Sequence, residues 1–144
     1  MKDLKTILLV EDNPKDVELT VEALLEYNLA NSVEVVNDGI GALEYLRFEG
    51  KFKNRQKGNP CVILLDIKMP RMDGIELLEI INQDNNLRTI PVVMLTTSRM
   101  EPDLKKCYAL GANAYVVKPV DFKDFLTAVR QIGLFWAILN EQPS

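Results

Sequence analysis

Cysteine is scarce and poorly placed for structural work: Cys61 and Cys107 stand far apart and match no metal-ligand spacing. Both are expected as free thiols, which suits a reducing compartment. No long apolar run stands near the N-terminus. The stretch Ile7–Val10 is too short for a secretory leader and far too short to span a bilayer. A cytoplasmic location without membrane contact is therefore expected. A basic tail is missing as well. With 17 Lys and Arg against 21 Asp and Glu, the net charge is −4. Nucleic acid is not an expected partner, because neutralising its phosphates takes clustered cations. Repeats and internal linkers are also lacking, and 144 residues at 47% hydrophobic and 26% charged fit one domain with a continuous core.

What is present is an alternation. Ile7–Val10, Val62–Leu65 and Pro91–Leu95 are short apolar runs rich in branched residues, and Val33–Val36 and Ala114–Val117 are weaker versions of the same pattern. Runs apolar on both faces suit central strands of a parallel sheet. Helical spacing lies between them. Val17, Val21, Leu24 and Leu25 follow Asn13-Pro14, a cap and a first-turn proline. Ala42, Leu43 and Leu46 form a second helix, and Ile75, Leu78 and Ile81 a third. Leu104, Tyr108 and Ala109 form a fourth, stopped by Gly111, and Phe122, Phe125, Leu126, Val129 and Ile132 a fifth. Strict β-α alternation predicts an α/β doubly wound fold: five parallel strands, helices on both faces, right-handed crossovers and the flavodoxin-like order 2-1-3-4-5.

Open sheets of this kind bind ligands beyond the carboxyl ends of their strands. The predicted ends carry Glu11-Asp12 after strand one, Asp66 after strand three, Thr96-Thr97 after strand four and Lys118-Pro119 after strand five. Three carboxylates so close repel one another unless some take protons or a cation joins them. Hard oxygen donors with room for water suit Mg²⁺. A Mg²⁺ and a lysine beside a carboxylate can neutralise a phosphoryl group arriving there. Any one of these residues alone has a plainer use; Asp12 or Asn13 serves equally well to cap the first helix. The ordered conjunction of acids, hydroxyl and lysine is what points to chemistry.

Three segments carry a resemblance: Leu8–Asn13, Leu64–Gly74 (LLDIKMPRMDG) and Gly111–Pro119 (GANAYVVKP). Over residues 5–133 the chain resembles response-regulator receiver domains. The resemblance implies Asp66 as phospho-acceptor, Asp12 as a direct Mg²⁺ ligand, Glu11 acting through water and Lys68 lending its backbone carbonyl. It implies that Lys118 pairs with carboxylate or phosphoryl oxygens, that the bond before Pro119 is cis, and that Thr97 supplies a backbone N–H. Thr96 is then the switch hydroxyl and Tyr115 the switch aromatic, although Tyr115 reads equally as a half-buried strand tyrosine. The resemblance also implies that Lys68 and Ser98, flanking the site, tune phosphoryl lifetime. Lys68 either shields the phosphoryl group or points outward. The expected donor is a sensor histidine kinase, and the expected output is a change on the face of helix four, strand five and helix five.

Outside the shared segments, Leu134–Leu139 is apolar on every side, and residues 134–144 are expected to extend the last helix beyond a receiver domain at 1–133. Phe135 and Trp136 in sequence mark either a homodimer surface or a tail folded onto its own core. The loop Gly50–Pro60 carries Lys51, Lys53, Arg55 and Lys57 without an acid; it is either a solvated connection or a contact for a kinase. Tail and loop together resemble the response regulators that partner phytochromes. Only residues 140–144 follow Leu139, so no output domain is expected. A haloacid-dehalogenase-type phosphatase would need an acid two residues after its nucleophile, where Lys68 stands. A flavodoxin would need a Ser/Thr/Gly-rich phosphate loop where Glu11-Asp12-Asn13-Pro14 stands. No enzymatic turnover is expected.

Overall fold

The computed structural model describes residues 6–26, 32–56 and 58–133. Five strands, β1 (Thr6–Val10), β2 (Ser32–Val36), β3 (Val62–Asp66), β4 (Val92–Thr96) and β5 (Ala114–Val117), alternate with five helices. The helices are α1 (Pro14–Glu26), α2 (Gly39–Leu46), α3 (Gly74–Gln83), α4 (Leu104–Ala109) and α5 (Phe122–Gln131). All neighbouring strands are parallel, in the order β2-β1-β3-β4-β5. The architecture is the doubly wound one that alternation predicts, and each strand ends within a residue or two of the expected position.

The sheet separates two cores by the two-residue period of its strands. Leu8, Val10, Ile63, Leu65 and Met94 face α2, α3 and α4, meeting Ala42, Leu46, Leu77, Leu78, Ile81 and Leu104. Ile7, Leu9, Leu64, Val93 and Leu95 face α1 and α5, meeting Leu24, Phe125 and Val129. Several residues of the expected apolar faces lie outside these layers, Ala109 among them. In α4 the inward residues are Leu104 and Cys107, while Tyr108 is 45% exposed; α4 is only six residues long, and i, i+3 suffices to cover it. In α1, Leu24 is buried and Leu25 exposed, since adjacent residues of a helix point about 100° apart.

The basic loop is built rather than solvated at its centre. Arg55 stacks over the rings of Tyr45 and Phe48 at 3.8 and 3.9 Å. Its Nε donates to the Tyr45 carbonyl at 2.6 Å, and Nη1 donates to the carbonyls of Gln56 and Gly58. Arg55 therefore serves the loop's own fold, and only Lys51 and Lys53 of the described loop remain as outward charges. The loop enters β3 at its amino end, opposite the edge where Asp66 stands. A bend at Gly133, with φ of 76°, follows α5. Residues 134–144, including Phe135 and Trp136, lie outside the described residues.

Candidate functional site

Parallel strands deliver their last residues to one edge, and the ladder continues slightly beyond each strand to hold them. Glu11 N–H donates to the Val36 carbonyl at 3.0 Å, and Lys118 N–H to the Thr96 carbonyl at 2.7 Å. Glu11, Asp66 and Thr96 are buried there, and Asp12 is exposed. An open cleft results, lined also by Asn13, Asp16, Lys68, Thr97, Glu101 and Lys118. Every residue of the expected acceptor set thus meets at one place, although they come from four strand ends.

Carboxylate oxygens of Glu11, Asp12 and Asp66 lie within 4.8 Å of one another. Burial, together with the hydrogen bond and charge of Asp66, pushes the Glu11 carboxyl up to about 7, against smaller opposing effects of Asn13 N–H and Lys118. One lysine serves two members of this group and a third acid: Lys118 Nζ is 3.2 Å from Glu11 Oε1, 3.4 Å from Asp66 Oδ2 and 3.1 Å from Asp16 Oδ2. Burial alone would lower the Lys118 pKa, but its bond to Asp16 and the charges of Asp66 and Glu11 raise it overall. A crowded, oxygen-only donor set that a single ammonium leaves short of positive charge fits a hard divalent cation.

The supporting loops hold this edge in shape. After β3, Lys68 N–H donates to Asp66 Oδ1 at 3.4 Å. The Lys68 side chain is 73% exposed and its ion partner is Asp103 at 4.0 Å, so it points outward. Arg71, at φ 63°, donates from Nε to Asp38 Oδ2 at 2.8 Å. The other Asp38 oxygen caps α2 by accepting from Gly41 N–H, and Gly39 N–H donates to the Met72 carbonyl at 3.2 Å. Burial would raise the Asp38 pKa, but Gly41 N–H and Arg71 together lower it. The segment following β3 is thereby latched to the start of α2. After β4, the Thr96 hydroxyl donates to the Ser98 carbonyl at 3.0 Å and accepts from Ser98 N–H at 3.3 Å. Ser98 and Thr97 are exposed beside it, and Tyr115 is half-buried against the α2–α3–α4 core. The Lys118–Pro119 bond is cis.

Asp16, Asp38 and Arg71 escaped the sequence reading. An acid in a helix's first turn looks like a dipole or capping residue, and nothing local shows that Asp16 meets a lysine 102 positions away.

A family model described as the response regulator receiver domain matches residues 7–130. The chain belongs to this receiver family. Response regulator Rcp1 of Synechocystis sp. is 39% identical over 132 residues, covering 92% of this chain and 88% of that protein. Among solved structures, the bacteriophytochrome response regulator RtBRR is 55% identical with a TM-score of 0.87, over 98% of this receiver and 85% of that chain. AtBRR, also a bacteriophytochrome response regulator, is 54% identical with a TM-score of 0.89, over 97% and 100%. The phosphorylated cyanobacterial phytochrome response regulator RcpA is 39% identical with a TM-score of 0.76, over 99% and 100%. The Mn²⁺-bound form of Rcp1 is 37% identical with a TM-score of 0.74, over 97% and 99%. This receiver is a response regulator of two-component signalling, with phytochrome response regulators among its relatives. Among its described residues, no helix is long and apolar enough to cross a membrane.

Proposed function

We propose that Asp66 accepts a phosphoryl group from a sensor histidine kinase, with Mg²⁺ held by Asp12, Asp66, the Lys68 carbonyl and, through water, Glu11. The observation that carries this reading is the Lys118 ammonium at 3.4 Å from Asp66 Oδ2 inside the three-carboxylate cluster. In the transfer, the N–P bond of a phosphohistidine breaks, its electron pair stays with the imidazole, and an Asp66 oxygen forms the new O–P bond. Mg²⁺, when bound, offsets the charge that builds on the phosphoryl oxygens. Lys118 donates to one of those oxygens, and Thr97 N–H to another. Thr96 exchanges its Ser98 carbonyl partner for a phosphoryl oxygen, which shifts the loop between β4 and α4. Tyr115 follows, and the face of α4, β5 and α5 becomes the output. Ser98, exposed beside Thr96, borders the approach of water and tunes the lifetime of the acyl phosphate, and Lys68 can reach that path only by leaving Asp103. Relatives named as phytochrome response regulators favour a phytochrome kinase as donor, and the protein acts in the cytoplasm by contact rather than turnover.

Intact-mass measurement after incubation with acetyl phosphate tests the acceptor and the metal together. A phosphoryl adduct is expected on wild type with Mg²⁺, and none on Asp66→Asn or in EDTA. An adduct on Asp66→Asn would move the acceptor elsewhere. Amide shifts on α4, β5 and α5 that stay unchanged in the phosphorylated sample would remove that face as the output.

The second element of the proposal is a homodimer through α5 and the tail 134–144, whose apolar part is Leu134–Leu139. Phe135 and Trp136 are the apolar anchors such an interface needs. Sedimentation should show a dimer at micromolar concentration that Phe135→Ala with Trp136→Ala converts to monomer. A wild-type monomer would discard the dimer.

A further inference from the structure

Asp16 occupies the third position of α1, behind the cap residue Asn13. An acid there ordinarily closes a capping box by accepting the cap residue's own N–H. Glu76 does so in α3, where Asp73 N–H donates to Glu76 Oε1 at 3.2 Å and Glu76 N–H to Asp73 Oδ1 at 3.0 Å. In α1 only half of that box forms. Asp16 N–H donates to Asn13 Oδ1 at 3.0 Å, but Asn13 N–H is taken by Glu11 Oε2 at 3.2 Å. The Asp16 carboxylate is released from capping and reaches Lys118 Nζ instead, at 3.1 Å.

An ammonium carries three N–H donors, and Lys118 faces three carboxylates, at 3.1, 3.2 and 3.4 Å. Two of its donors are committed to Asp16 and Glu11 before any phosphoryl group arrives, and the Asp66 carboxylate faces the third. Moving the ammonium from that carboxylate to a phosphoryl oxygen farther out on Asp66 pulls on the other two bonds, and one of them must give way. Solvation decides which. The Glu11 side chain has no solvent exposure, and without its cation it would be left as a buried, uncompensated charge. The Asp16 side chain is 28% exposed, so water can replace the lysine there.

Resting on the acceptor role proposed for Asp66, we infer that Asp16 is a positioning residue that holds Lys118 back from the phosphoryl site. It engages the ammonium in the unmodified state and yields it when a phosphoryl group binds. The strength of this contact then sets part of the free-energy gap between the two states, and Asp16 acts through Lys118 without touching the phosphoryl group. An ordinary helix-dipole role accounts for an acid in the first turn, but not for a carboxylate turned onto the lysine.

Calorimetric titration of the full chain with beryllofluoride in saturating Mg²⁺ tests this, using wild type, Asp16→Asn, Lys118→Ala and the double variant. Asp16→Asn should tighten binding roughly twofold to fivefold, the range for opening one partly exposed ion pair. In the Lys118→Ala background the same substitution should change nothing, because the two residues act as one unit. Unaltered or weakened binding in Asp16→Asn would overturn the inference. So would equal tightening without Lys118, which reduces Asp16 to a distant field. A helix-capping role alone would lower the melting temperature and leave the affinity unmoved. The Lys118 Nζ resonance gives a second readout: wild type and Asp16→Asn should differ when free and coincide with beryllofluoride bound. Signals that still differ in the bound state would show that Asp16 never lets go. A wild type that binds no beryllofluoride removes the acceptor reading and this inference together, whereas wild-type binding with an unaltered Asp16→Asn removes only the role of Asp16.

Discussion

Gly74→Ala is expected to destabilise the protein by about 3 kcal/mol, at the upper end of overpacking costs. Gly74 opens α3 directly against the backbone of the acceptor strand, and its N–H donates to the Ile67 carbonyl at 2.9 Å. A Cβ there would run into the Asp66 carbonyl oxygen and lie 2.9 Å from Ile67 Cα. Neither obstacle is a side chain that can rotate away, so α3 must retreat or the chain after Asp66 must shift. Either movement displaces the Asp66 carboxylate, so, with the acceptor role proposed for it, the rate of phosphoryl uptake should fall with stability. Gly41→Ala is the control. A Cβ at Gly41 meets Asp38 Oδ1 and Val36 Cβ at 3.5 Å, an ordinary contact. Gly41 lies within α2, where alanine is favoured by about 0.5–1 kcal/mol. Urea unfolding should therefore move in opposite directions for the two substitutions. Gly74→Ala within about 0.5 kcal/mol of wild type, the ordinary range for surface changes, would show that α3 does not depend on this close approach.

Lys118→Met should cost about 3 kcal/mol at pH 8 in metal-free solution and clearly less at pH 5, because it strips a buried carboxylate group of its cation. Glu11 sets the sign. Its carboxyl is pushed up to about 7 from 4.5, so the folded protein holds that proton more tightly than the unfolded chain does. The resulting stability is fully present below the unfolded value of 4.5 and is lost as pH rises through about 7. Lys118 opposes this shift, so its removal raises the Glu11 value further and deepens the loss at pH 8. At pH 5 a proton on Glu11 substitutes for the missing ammonium. The Lys118 pKa is itself raised above 10.5, so its charge is constant across this window. Chemical denaturation at the two pH values in EDTA provides the measurement. A loss equal at both would mean that Glu11 and Lys118 are not coupled as the geometry indicates.

The sequence by itself determined the class of fold and the cluster of carboxylates, hydroxyl and lysine at its edge. Apolar runs at Ile7–Val10, Val62–Leu65 and Pro91–Leu95, alternating with helical patterns, suit strands buried on both faces of a parallel sheet flanked by helices. Parallel strands must then end on one edge, so reading the residues after each strand was enough to assemble Glu11, Asp12, Asp66, Thr96 and Lys118. Lateral partnerships between helices and loops were decided by tertiary structure alone. Tyr108 reads as a core residue until α4 proves too short to need it. Arg55 reads as a free loop charge until Tyr45 and Phe48, on the far side of the turn, supply rings to stack on. Arg71 meets Asp38, and Asp16 meets Lys118, across loops whose course no local pattern encodes. Periodicity reports which face of an element is apolar because burial acts on every residue of that face. A single ion pair depends on where two distant backbones come to rest, and that is settled only once the core has packed.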